Sequence, residues 1–395
     1  MCLLSIDEIF NKIVSSRSLI KDRAVLRADY VPDKLLFRNN EITAVAEVLS
    51  PLLKGYRASN LLLYGKPGTG KTAVARYVLK HLQRKANELN IKIALAYSNT
   101  KTANREYTML VELGNSIGLK FPFTGLASSE LFTRILNYIN NYNLNTVFVL
   151  DEIDFLVKRY GDEILYQMTR SNERLENGSL GLVGISNDLN FKEFLDPRVL
   201  SSLSEEEVVF APYSVNELKE ILLERVELGF YKDTVNTSAI NLCAAIAGSE
   251  HGDARRAVDL LRVAGEVAER EGAVKVEERH IRIAEKKIEQ DKVTETLRRL
   301  PLHEKLVMYS ILLADNGITG DVYSKYLELT KKLSIEPVTQ RRIGMMISEL
   351  DMQGLIYAPI INKGRHGRTK KITLAIQHSL LKQAIEEDPL TNGIL

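Results

Sequence analysis

The stretch that decides the fold runs from residue 60 to residue 82, NLLLYGKPGTGKTAVARYVLKHL. Leu61 to Tyr64 form a short apolar run, and Val74, Val78 and Leu79 recur at the spacing of one helical face. Between them stands Gly65-Lys66-Pro67-Gly68-Thr69-Gly70-Lys71-Thr72, a G-x-x-x-x-G-K-T pattern in the strand–loop–helix context that marks a phosphate loop. Around Gly68, Thr69 and Gly70 the backbone N–H groups turn inward onto phosphate oxygens, because glycine tolerates the dihedrals this requires. The N-terminus of the following helix adds the positive end of its dipole. Lys71 reaches the β- and γ-phosphates and the Thr72 hydroxyl is a ligand for Mg²⁺. The expected ligands are therefore ATP or ADP with Mg²⁺.

Two further strands complete this reading. In NTVFVLDEIDFL, residues 145 to 156, a continuous apolar run ends in Asp151-Glu152. Such a run suits a strand buried on both faces, and carboxylates at its C-terminal end lie where open α/β sheets bind ligands. Asp151 is expected to hold Mg²⁺, directly or through water, and Glu152 to orient or activate the attacking water. In GLVGISNDLNF, residues 181 to 191, another short strand ends at Ser186-Asn187. Asn187 stands either as a turn residue or as an amide facing the γ-phosphate or the attacking water.

This order of motifs resembles the AAA+ ATPases. The stretches DEIDFL and LDPRVLSSLSEEEVVFAPYSVNEL, residues 195 to 218, resemble one branch of them, the archaeal origin-recognition and cell-division-control replication initiators. The resemblance extends from YVPDKLLFRNNEI, residues 30 to 42, to the C-terminal region. It implies that Asn187 is sensor 1 and that Gly252-Asp253-Ala254-Arg255 carries sensor 2, with Arg255 reaching the γ-phosphate from a helical lid. It places Tyr213 and Arg225 beside the nucleotide. Val31 and Pro32 stand as part of the adenine pocket, or equally as core. One departure from the family pattern points to slow turnover: many AAA+ proteins supply an arginine finger to a neighbouring subunit near this segment, but in DPRVLSSL the only arginine is Arg198, and Ser201-Ser202 stand where some relatives have Ser-Arg.

The C-terminal third carries different chemistry. RRLPLHEKLVMYSILLA and TGDVYSKYLELTKKL read as helices. In EPVTQRRIGMMISELDMQGLIYAPI, Ile343, Met346, Ile347 and Leu350 share one face, Arg341 and Ser348 lie opposite, and Gly354 stops the helix. Two strands, LIYAPI and KKITLAI, flank INKGRHGRTKK, which is basic without one acidic residue. Three helices and a hairpin make a winged helix. The helix bearing Gln340, Arg341 and Arg342 is expected in the major groove of double-stranded DNA, with Lys363, Arg365, His366 and Arg368 on the wing. The resemblance implies a second DNA contact on an insertion around Phe123, Thr124 and Gly125; packing of its phenylalanines onto the sheet is the other reading.

The chain has 395 residues and a formal net charge of +2, so a nucleic-acid partner must be met by a local patch. Its two cysteines, Cys2 and Cys243, make no disulfide framework, and no apolar run spans a bilayer. The N-terminus contains acids and does not read as a signal peptide; its shortness favours an archaeal member. The expected fold is an α/β P-loop AAA+ module, a parallel-sheet domain over 1–210 plus a helical lid over 211–292, followed by a winged-helix DNA-binding domain over 293–395. The expected function is that of an initiator, cytoplasmic and nucleoid-associated. It binds origin DNA with ATP as a slowly hydrolysed latch, helps recruit the replicative helicase, and works with initiator paralogues and no membrane. An ATP-gated transcriptional regulator and a motor-type AAA+ enzyme are the alternatives.

Overall fold

The computed structural model describes residues 18–27, 30–122, 125–314, 317–362 and 368–391. The chain divides into two compact units, 1–281 and 282–395. The division falls inside the helix Glu278–Arg299, which also contains the position expected for the lid boundary, 292.

The first unit is built on five parallel strands: β1 Leu61–Gly65, β2 Ile93–Asn99, β3 Asn145–Asp151, β4 Ser179–Ser186 and β5 Glu206–Phe210. Their order is β2-β3-β4-β1-β5. Residues alternate between two apolar layers, as the two-residue period of a strand dictates. Leu62, Phe148, Leu150, Leu180 and Leu182 face one helical layer, while Leu61, Leu63, Val147, Val149, Val183 and Ile185 face the other. The second layer contains α1, Asn39–Leu49, and α2, Lys71–Glu88. The first holds α3 Thr100–Ala103, α4 Glu106–Ser116, α5 Ser128–Tyr142, α6 Ile153–Tyr160, α7 Glu163–Thr169 and α8 Pro197–Leu203. Because every strand runs the same way, the loops at their C-terminal ends gather on one edge of the sheet.

After β5 come α9 Val215–Gly229, α10 Thr237–Ser249 and α11 Ala254–Glu271. Ser214 and Glu217 close a capping box at the start of α9, and Asp253 caps α11 through Arg255 N and Arg256 N. The segment at residues 18–20 is pinned to α11 by Glu269, whose Oε1 accepts from Ser18 Oγ, Leu19 N and Ile20 N.

Helix α12, Glu278–Arg299, leads into the second unit. There α13 Leu302–Leu313, α14 Thr319–Lys332 and α15 Gln340–Met352 surround a core that includes Tyr326, Ile343, Ile347 and Leu350. Four short strands and a last helix follow: β6 Ile356–Tyr357, β7 Ile360–Asn362, β8 Arg368–Lys370, β9 Thr373–Leu374 and α16 His378–Glu386. Two expectations are corrected here. The helix read from Arg298 begins only at Leu302, with Pro301 as its N-cap, because a proline ring disfavours helical backbone before it. The hairpin is two short ladders, β6 with β9 and β7 with β8, rather than two continuous strands. The break falls at Ala358-Pro359: proline has no N–H to give the ladder, and Ala358 N donates instead to Asp351 Oδ1.

Candidate nucleotide site and DNA-binding surface

The phosphate loop joins β1 to α2. Gly68 at φ +72° and Gly70 at φ +95° sit in the left-handed region, and a Cβ on Gly68 would lie 1.7 Å from Asp253 Oδ1. Only a bare backbone fits there. The start of α11 is thus seated on the loop, and Ala254 N donates to Gly68 O at 3.2 Å. Lys71 is 4 % exposed, and its Nζ donates to Gly65 O and Lys66 O, both at 2.7 Å. Burial, reinforced by the nearby Arg255, lowers its pKa to about 8, against the pull of Asp151.

Asp151, at the end of β3, is 4 % exposed. Its Oδ2 accepts from Thr72 Oγ1 at 2.9 Å and from Tyr97 Oη at 2.7 Å, and its Oδ1 accepts from Glu152 N at 2.9 Å. A hydroxyl and a carboxylate meeting beside the phosphate loop are oxygen ligands of the kind a hard cation takes, so the residues fit Mg²⁺. Glu152 adopts left-handed backbone, φ +54°, as the cap of α6; its carbonyl accepts from Thr100 Oγ1 at 2.5 Å and its carboxylate lies 3.5 Å from Lys101 Nζ. Asn187 follows β4, where its N–H and the Ser186 hydroxyl both donate to Asp154 Oδ1 at 3.2 Å.

These groups line one cavity of about 370 Å³, together with Val31, Pro32, Gly68, Gly70, Tyr213, Arg225 and Arg255. That volume lies within the range of small-molecule sites, roughly 300–1,000 Å³. Thr69 turns away: its hydroxyl donates back to Lys66 O and its carbonyl accepts from Arg38. Arg225 is buried, donates to Val25 O at 3.3 Å and lies 4.6 Å from the Tyr30 ring centroid; burial lowers its pKa. Arg198, outside the cavity, is 68 % exposed and pairs with Asp196 at 3.0 and 3.1 Å.

Sequence reasoning missed Tyr97 and Arg38. Arg38 is 4 % exposed, donates to Thr69 O at 2.9 Å and to Ala211 O at 2.7 Å, and stacks 3.7 Å from the Tyr213 ring centroid. It therefore joins the phosphate loop to the root of the three-helix part. No motif marks either residue; both take their places from strand register and packing.

In the second unit, α15 buries Ile343, Met346, Ile347 and Leu350 and leaves Gln340, Arg341 and Arg342 exposed. Arg341 makes no ion pair among the described residues. Lys370 Nζ, on β8, donates to Ser348 Oγ at 2.7 Å and so ties the hairpin to the exposed side of α15. Of the wing residues, Lys363, Arg365 and His366 lie outside the described residues, and Arg368 opens β8 opposite Asn362. In the first unit Phe123 and Thr124 also lie outside them. Gly125 beside them has φ +107° and open space where a Cβ would stand, while the Phe121 ring packs over Gly114 on α4.

Three family models match in succession: "AAA domain" over residues 54–190, "Cdc6 AAA+ ATPase-type lid domain" over 219–286, and "CDC6, C terminal winged helix domain" over 295–384. The "ORC1-type DNA replication protein" of Pyrococcus abyssi is 46% identical over 98% of this chain and 94% of that protein. The "ORC1-type DNA replication protein 1" of Sulfurisphaera tokodaii is 46% identical over 97% of this chain and 96% of its own length. Among solved structures, the Aeropyrum pernix ORC1 protein in complex with DNA superposes with a TM-score of 0.86 at 43% identity, covering 95% of this chain and 99% of that one. The resemblance drawn from the motifs holds along nearly the whole chain, which belongs to the family of archaeal ORC1-type DNA replication proteins.

Proposed function

We propose that this protein is a DNA replication initiator that binds double-stranded origin DNA and uses bound ATP or ADP as a conformational switch. The observation that carries the nucleotide half is the meeting, in one cavity, of Lys71 and Thr72 from the start of α2 and Asp151 from the end of β3 with Arg255 from α11. Relatives over 40% identical, one of them solved in complex with DNA, support the other half.

Magnesium-bound ATP supplies the γ-phosphate that distinguishes the two states of such a switch. Lys71 would hold the β- and γ-phosphates, and Thr72 and Asp151 the Mg²⁺. Gly68, Thr69 and Gly70 would offer backbone N–H groups, and Val31, Pro32, Tyr213 and Arg225 would enclose the nucleoside. Glu152 would accept the proton of the attacking water, held in place by Asn187. Arg255, at the start of α11, would join the lid to the γ-phosphate by a charged contact. Turnover is slow in this reading, since Ser201-Ser202 stand where some relatives have Ser-Arg and Arg198 is the only arginine in that segment to serve a neighbouring subunit.

The domains follow the division 1–210, 211–292 and 293–395. Gln340, Arg341 and Arg342 would enter the major groove, and Lys363, Arg365, His366 and Arg368 would track phosphates. Phe123, Thr124 and Gly125 would make a second contact from the AAA+ insertion. Recruitment of the replicative helicase and pairing with initiator paralogues complete the role, in the cytoplasm at the nucleoid. No helix of the described residues is long and apolar enough to cross a membrane.

The test is duplex binding as a function of salt. Arg341→Ala with Arg342→Ala is expected to weaken binding and to lower the slope of log affinity against log salt by up to about two units. An unchanged slope and affinity would remove α15 from the interface.

A further inference from the structure

Tyr97 lies near the C-terminal end of β2, paired in register with Val149, two residues before Asp151. Its phenol donates at 2.7 Å to the same Asp151 oxygen that receives the Thr72 hydroxyl at 2.9 Å. With the Glu152 N–H on the other oxygen, three donors from three segments fix this carboxylate. Arg76, one helical turn beyond Thr72 on α2, sets its guanidinium 4.6 Å from the centroid of the Tyr97 ring. The phenol is thus held between α2 and the end of β3.

We propose that Tyr97 is a positioning residue for the metal site: it holds the Asp151 carboxylate beside the Thr72 hydroxyl, so that the Mg²⁺ brought with the nucleotide meets a preset oxygen pair. This rests on the nucleotide reading above and deepens it. A carboxylate at a strand end turns freely about its side-chain bonds unless a partner fixes it. A lysine or arginine partner would fix it too, but would cancel the negative charge that attracts the cation. A phenol orients the carboxylate and leaves its charge intact, which is how outer partners of metal ligands usually act. A phenol titrates near 10, so it is a neutral donor at physiological pH.

The test uses the full chain and a fluorescent ADP, titrated in excess Mg²⁺ and again in EDTA. Tyr97→Phe keeps the ring against Arg76 and removes only the hydroxyl. The expected result is an affinity in EDTA within about twofold of wild type, while the tightening conferred by Mg²⁺ shrinks by about tenfold or more. In an Asp151→Asn background, adding Tyr97→Phe should change the Mg²⁺ effect no further, because the hydroxyl acts through that carboxylate. An undiminished Mg²⁺ effect in Tyr97→Phe, or an equal loss of affinity with and without Mg²⁺, would overturn the proposal. Failure of the underlying reading would look different: wild type would bind ADP in neither condition, or Lys71→Ala would bind as tightly as wild type.

Discussion

At the scale of single residues, Lys71 is a cation that its own surroundings disfavour. Burial and the neighbouring Arg255 lower its pKa to about 8, whereas an unfolded lysine titrates near 10.5. Below pH 8 both folded and unfolded chains carry the charge, so the penalty on the fold is fully present. It is relieved as pH rises from about 8 toward 10.5. A bound phosphate reverses the balance by placing anionic oxygens at the amine. Nucleotide binding above pH 8 should therefore take up a proton. Calorimetry of ADP binding at pH 8.5, in two buffers of different ionisation enthalpy, should show an uptake of roughly 0.7 proton, falling to about 0.1 at pH 7. No uptake at pH 8.5 would mean that Lys71 does not meet the phosphates. The expected positions Lys71, Thr72 and Asp151 were legible in the sequence because the phosphate-loop pattern and an apolar strand ending in a carboxylate are both local signals. Tyr97 was not, because its role depends on which strand lies beside β3, and no local pattern states that.

At the scale of elements, the site is a junction of strand ends, and Arg38 shows how it is held. From the residue preceding α1, its guanidinium reaches Thr69 O in the phosphate loop and Ala211 O beyond β5, with Glu41 beside it at 3.2 Å. Arg38→Ala would leave the buried Thr69 carbonyl and the part-buried Ala211 carbonyl without their donor. The expected cost is about 3 kcal/mol in the first urea transition, because an orphaned buried polar group costs about 1–3 kcal/mol. Arg38→Lys should recover only part, since a point ammonium cannot fork to both carbonyls. A loss under about 1 kcal/mol for Arg38→Ala would contradict this role. The same scale marks where sequence patterns mislead. The helix read through Pro301 and the strand read through Pro359 both continue in apolar pattern and both break in structure, one at the missing helical conformation before a proline and the other at its missing N–H. By contrast α15 was legible end to end, because Ile343, Met346, Ile347 and Leu350 are buried and Gly354, at φ +71°, follows its C-terminus.

At the scale of the whole molecule, the first unit carries a nucleotide cavity closed by its own lid, and the second carries a three-helix core with a basic hairpin. The near-neutral total charge conceals this division of labour. Between Gln340 and Lys371 basic residues outnumber acidic ones, and in the reading proposed above that local excess is what meets a duplex. The family relationship was legible from motifs that span almost the entire length, whereas the DNA sequence recognised in the proposed reading would depend on which side chains of α15 reach base edges. Chromatin-precipitation mapping in replicating cells of its own organism decides whether this protein marks replication origins. One or a few sharp sites that coincide with replication start points are expected. Many promoter sites, unrelated to those start points, would contradict that role and make the nucleotide cavity a switch on transcription.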